Sequence, residues 1–76
     1  MLTSREIEIL KYITLGGTAA AFAAEHALSV RTVEAHIYNI KNKLGISRAV
    51  NLTHYAIRTG LIKLKTLEEL GISTDS

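Results

Sequence analysis

The 76-residue chain has no cysteine, no proline and no tryptophan, and its aromatic residues are one phenylalanine and three tyrosines. Without cysteine there are no disulfides and no thiolate metal sites, which fits a reducing cytoplasm. Four aromatic rings give little support to single-stranded nucleic-acid binding by base stacking. The longest apolar run, around "AAAFAA", is far too short to cross a bilayer and has no basic leader before it. A soluble cytoplasmic domain is therefore expected, with no membrane partner. The absence of proline, together with the lack of strand-type alternation, leaves helices as the dominant element. A chain of this length forms one small domain and does not easily hold a deep catalytic cleft.

The charge that is present is unevenly placed. The net charge is only +2. Residues 1–28 carry Arg5 and Lys11 against Glu6, Glu8 and Glu25, a balance of −1. Residues 29–65 carry Arg31, Lys41, Lys43, Arg48, Arg58, Lys63 and Lys65 against Glu34 alone, a balance of +6. From Thr66 onward Glu68, Glu69 and Asp75 give −3. A basic middle on a helical domain suits a polyanion. Charge alone leaves open an ordinary solvated face.

"LTSREIEILKYITLGG" reads as a helix with a capping box, Thr3 as N-cap and Glu6 three residues on. Leu2 and Ile7 stand at the staple positions. Ile7, Leu10 and Ile13 recur at helical spacing, and Gly16–Gly17 stops the run. "TAAAFAAEHA" gives a short second helix capped by Thr18, with Phe22, Ala23 and His26 facing inward. Ala27–Leu28 makes the turn and Ser29 caps a third helix, the outline of a helix-turn-helix. On that third helix Val33, Ile37, Ile40 and Leu44 share one face, with His36 at its border. The opposite face centres on Arg31, Ala35, Tyr38 and Asn42, flanked by Glu34 and Asn39, with Lys41 and Lys43 on the shoulders. Gly45 ends it.

A fourth helix is expected over about Ser47 to Thr59. Ala49, Leu52 and Ala56 form its core stripe, and Val50, Thr53 and Ile57 form a second stripe. A spare apolar stripe on so small a protein suits self-association, and a tail folded back over it is the competing arrangement. Self-association is the preferred reading. "LIKLK" reads as extended or irregular. Residues 1–65 thus form the domain and 66–76 a tail. The tail's "TLEELG" has a second capping-box pattern, Thr66 with Glu69, that suits one helical turn, and "ISTDS" looks frayed.

"LTSREIEILKYITLGGT", "LSVRTVEAHIYNIKNKLGI" and "YAIRTGLI" together resemble the DNA-binding domain of the LuxR/GerE family of bacterial transcription regulators, over about residues 2–62. The most specific part is Thr32, Val33, His36, Ile40, Lys43, Leu44 and Gly45 behind the "LTSRE" opening. The resemblance implies an all-α four-helix bundle containing a helix-turn-helix, followed by the short C-terminal extension. It implies a third helix in the major groove of double-stranded DNA, a homodimer made by the fourth helix, no cofactor, and a place on the bacterial nucleoid. The domain usually sits behind a receiver or ligand-binding domain. Met1 directly before "LTSRE" suits a stand-alone member, and an excised piece given a start codon has the same appearance.

Several positions depart from the family pattern. Ala19, Ala20 and Ala21 stand where polar or basic residues are common, and His26 stands where leucine is usual. Glu34 replaces a common lysine, Tyr38 a basic or polar residue, and Arg48 is one place from the usual arginine. Candidate DNA contacts are Thr18, Ser29, Arg31, Thr32, Glu34, Ala35, Tyr38, Asn39, Lys41, Asn42, Lys43 and Arg48; candidate dimer contacts are Val50, Thr53, His54 and Ile57. Lys43 has an alternative, its stem along the core and its ammonium outside. Glu34 is acceptable near phosphates if it accepts from a cytosine amino group, worth roughly 1–3 kcal/mol of discrimination, or if it pairs with Arg31 or Tyr38 one turn away.

A rival reading is a small interaction module that heterodimerises with, and antagonises, a larger LuxR-type regulator. An enzyme is not expected. His26, His36 and His54 come from different helices with no ligand at metal spacing, and no serine or carboxylate has a catalytic partner.

Overall fold

The computed structural model describes residues 1–72, Leu64 by its backbone only. Five helices follow in order: α1 Ser4–Thr14, α2 Ala19–Glu25, α3 Val30–Leu44, α4 Ala49–Arg58 and α5 Leu64–Glu69. No strand occurs among the described residues, so the fold is all-α as expected. Among the described residues no helix is long and apolar enough to cross a membrane.

The first cap forms as its residues dictate. Glu6 N–H donates to Thr3 Oγ1 at 3.1 Å, and Thr3 N–H donates to Glu6 Oε1 at 2.8 Å. The buried arc of α1 differs from the expected stripe. It consists of Glu6, Ile9, Leu10 and Thr14, while Ile13 is half-buried and Ile7 is 37% exposed. The reason is that α1 packs against α2, α3 and α4 together. Neighbouring residues Ile9 and Leu10, 100° apart on the helix, are both needed to fill the space between them. Thr14 is tolerated in this core because its hydroxyl donates to Leu10 O at 2.8 Å.

Gly17 lets the chain turn tightly beneath α1. A Cβ there would stand 2.2 Å from a carbon of the Tyr12 ring. Tyr12 in turn meets Phe22 edge-on at 5.2 Å between centroids, and His26 stacks on Phe22 at 3.9 Å. Phe22 is thus the hinge pin between α1 and α2. Thr18 caps α2 by accepting from Ala21 N–H at 3.1 Å. The turn into α3 passes through Ala27 at φ 53°, a left-handed conformation at a non-glycine residue, which costs about 1–2 kcal/mol. Leu28 N–H repays part of this by donating to Ala23 O at 2.9 Å.

The main core comprises Ile9, Leu10, Phe22, Ala23, Val33, Ile40 and Leu52, edged by Ile37 and Leu44. The inward stripe read on the third helix is therefore correct. The fourth helix needs correction. It starts at Ala49, not Ser47; Ala49 is exposed, and Leu52 and Ala56 alone of the proposed stripe are buried. Residue 49 lies in the first turn, before the helix has reached the core.

The tail also differs from expectation. The last helix begins at Leu64 with Lys63 as an N-cap that makes no side-chain bond, so the Thr66–Glu69 capping box does not form. The helix runs across the boundary placed after residue 65. Leu67, with 0% exposure, joins Ile62 and Ala56 in a second cluster, and Leu15, Ile57, Leu61 and Ile72 pack on it. The tail therefore folds back over the end of α4, the arrangement that competed with a wholly spare stripe. Burying Leu67 and Ile62 outweighs the missing caps. The remainder of "ISTDS" after Ile72 lies outside the described residues.

Candidate nucleic-acid interface

Helix α3 carries the candidate face. Its N-terminus is fixed by Ser29, whose Oγ accepts from Thr32 N–H at 3.1 Å and lies 2.8 Å from Thr32 Oγ1. Its C-terminus closes at Gly45, φ 67°, where Ile46 N–H reaches Lys41 O at 3.0 Å. Fifteen residues between these stops make a rod about 22 Å long, held from behind by buried Val33 and Ile40.

Its outward side is open. Arg31, Thr32, Glu34, Ala35, Tyr38, Asn39 and Asn42 are all exposed, Tyr38 by 65%, and Lys41 is half-buried. The side chains of Arg31, Glu34, Tyr38, Asn39, Lys41 and Asn42 make no hydrogen bond or ion pair among the described residues. Glu34 therefore pairs with neither Arg31 nor Tyr38, although each is one turn away. Elsewhere the acidic side chains of α1 and α2 are engaged: Glu8 Oε1 accepts from Arg5 and Glu8 Oε2 faces His26 Nε2, and Glu25 accepts from the Tyr12 hydroxyl. That last bond, followed by burial, raises the Tyr12 pKa.

Lys43 is placed away from this open face. Its ammonium donates to Glu6 Oε1 at 2.8 Å and ties the end of α3 to the start of α1. Glu6 is 3% exposed. The Lys43 bond, then the Thr3 N–H, hold its carboxyl below the usual carboxylate range. The structure has neither of the arrangements expected of Lys43, since its ammonium is engaged by Glu6 within the fold. The pairing was hidden in the sequence because its partners are 37 residues apart, and Glu6 was already accounted for as a cap.

At the other end of the face, Tyr38, Lys41 and Asn42 share a shallow hollow of about 260 Å³ with Gly45, Ile46 and Ser47. The structure thus brings the loop before α4 beside α3. Arg48, exposed, is the α4 N-cap and makes no side-chain capping bond. Sequence reasoning passed over Ser47, and also Val30, which is 42% exposed in the first turn of α3. Val30 could have been found from its place between the Ser29 cap and the first inward residue, Val33. Thr18 is exposed, its oxygen already used as a cap.

On α4, Val50, Thr53 and Ile57 are half-buried and His54 is exposed. Ile57 leans on the second cluster, which leaves Val50 and Thr53 as the more open part of the stripe. No group of three or more metal-ligating side chains is present among the described residues.

Comparison with known proteins accords with this geometry. Residues 1–56 match the family model described as bacterial regulatory proteins, luxR family (GerE). The response regulator UvrY of Escherichia coli (strain K12) is 39% identical over 66 residues, which cover 87% of this chain and 30% of UvrY. The transcriptional activator protein EsaR of Pantoea stewartii subsp. stewartii is 38% identical over 63 residues, 83% of this chain and 25% of EsaR. The oxygen regulatory protein NreC of Staphylococcus aureus (strain JH9) is 38% identical over 63 residues, 83% of this chain and 29% of NreC. The chain spans less than a third of the length of these relatives. No solved structure matches it. The family match stops in α4, so the second cluster built on Leu67 lies largely beyond it. The chain belongs to the luxR (GerE) family of bacterial regulatory proteins, and its helix-turn-helix is that family's domain.

Proposed function

We propose that this chain binds specific double-stranded DNA sequences as a homodimer and so regulates transcription in the bacterial cytoplasm. Helix α3 enters the major groove, where a helix of this width fits and base edges are distinguishable. Arg31, Lys41 and Arg48 meet phosphates, and Ser29, Thr32 and Thr18 sit at helix N-termini whose N–H groups favour anions. Ala35 lets the backbone approach closely and touches a thymine methyl, Tyr38 lies against a methyl or gives its hydroxyl to a phosphate, and Asn39 and Asn42 bond phosphates or bases. Lys43 is reserved for Glu6. The second protomer meets α4 at Val50, Thr53 and His54, with Ile57 contributing only what α5 leaves open.

The single observation that carries this reading is the open face of α3. Six polar or charged side chains there have no hydrogen-bond or ion-pair partner among the described residues, while a buried stripe fixes the helix behind them. The test is a competition titration. A duplex selected from a random pool should be displaced by itself far more readily than by a scrambled duplex of the same composition. Equal displacement by both would remove sequence specificity from the account.

A second reading is a small module that pairs through α4 with a larger regulator of the family and antagonises it. Exposed Ala20 and Ala21 favour it, since α2 then offers no side-chain donor to a phosphate. Co-purification of a family regulator, lost on Val50→Glu, with no retention of any duplex, would favour this reading over the first.

A further inference from the structure

We propose that Glu34 sets this protein's base preference by accepting a hydrogen bond from the N4 amino group of a cytosine. The inference rests on the proposed entry of α3 into the major groove. Among the glutamates of α1, α2 and α3, Glu6, Glu8 and Glu25 each accept from a donor within the fold. Glu34 alone of these has no donor among the described residues, though Arg31 and Tyr38 are near enough in sequence to supply one. It lies in the second turn of α3, on the N-terminal half that a recognition helix directs at base edges.

An ionised carboxylate is an acceptor only. Among phosphates it is repelled unless a donor meets it, so its docked position must coincide with an amino group of the groove. Two bases present one there, cytosine N4 and adenine N6. Adenine places the N7 acceptor beside its amino group, which would face the second carboxylate oxygen, lone pair against lone pair. Cytosine places only C5–H beside N4. The carboxylate therefore selects cytosine. Ala35, the exposed neighbour, has too short a side chain to hold the helix away from the bases.

The test is selection of bound duplexes from a random pool with the unaltered chain and with Glu34→Gln. Glu34 is exposed and has no partner among the described residues, so the variant keeps the fold. The unaltered chain should enrich a C·G pair at one fixed position of each half-site, with about tenfold discrimination there. Glutamine both donates and accepts and suits adenine N6 and N7, so the variant should move that position toward A·T and leave the others unchanged. If the variant only binds all sequences more tightly, with the same selected site, Glu34 is a charge that weakens affinity and the inference is overturned. If the unaltered chain selects no sequence at all, the proposed function fails first, and this inference with it.

Discussion

Gly17 and Glu6 show how single residues fix this fold. At Gly17 the ring of Tyr12 occupies the space a methyl would take. Gly17→Ala should force Tyr12 off Phe22 and Glu25 and cost about 1–3 kcal/mol, read as a fall in the thermal midpoint. An unchanged midpoint would mean that the ring moves freely. Glu6 has a lowered pKa, set first by Lys43 and then by the Thr3 N–H. A group whose folded pKa is depressed contributes stability above its unfolded pKa and loses it as pH falls through the folded value. Denaturant midpoints of the unaltered chain should therefore drop as pH falls below about 4.3, the usual glutamate value. Glu6→Gln should be less stable at neutral pH and flatter across that range; equal slopes would assign the acid sensitivity elsewhere. The Thr3–Glu6 cap was legible because its partners are three residues apart. The Lys43 bond was not, because only the packing of α3 on α1 brings the two together.

Among the elements, α3 was the most legible and α5 the least. Ser29, Gly45 and the Val33–Ile40 stripe are local signals, each within a turn of what it controls. Helix α5 has no capping side chain and only six residues, so its existence depends on the partners of Leu67 and Ile62, namely Leu15 just after α1 and Ala56 and Ile57 in α4. The Thr66–Glu69 pattern pointed to the right region and the wrong start. On helix α1 Leu10 was read correctly but buried Ile9 was missed and exposed Ile7 included, since a single stripe was assumed where three helices press on it. Leu67→Ala should cost about 2–5 kcal/mol, the range for a buried leucine, and should lower the midpoint of the whole cooperative transition. Loss of helicity confined to a few residues, with the midpoint unmoved, would show α5 to be an appendage. The same packing holds part of Ile57, so the extent of the α4 stripe open to a second protomer depends on a segment beyond the family match.

For the molecule as a whole, the family's helix-turn-helix is retained, while the face proposed to read DNA carries Glu34 and Tyr38 among its exposed side chains. The basic middle segment was legible as a polyanion footprint, but one of its cations proves to be structural. With Lys43 engaged by Glu6, the phosphate contacts proposed for each protomer of the proposed dimer are Arg31, Lys41 and Arg48. Binding of a selected duplex across a range of salt concentrations tests this account most directly. Three phosphate contacts per protomer in a dimer predict a slope of log affinity against log salt of roughly −5, with the preference over a scrambled duplex retained at each concentration. A slope near zero, or equal affinity for the two duplexes throughout, would contradict it.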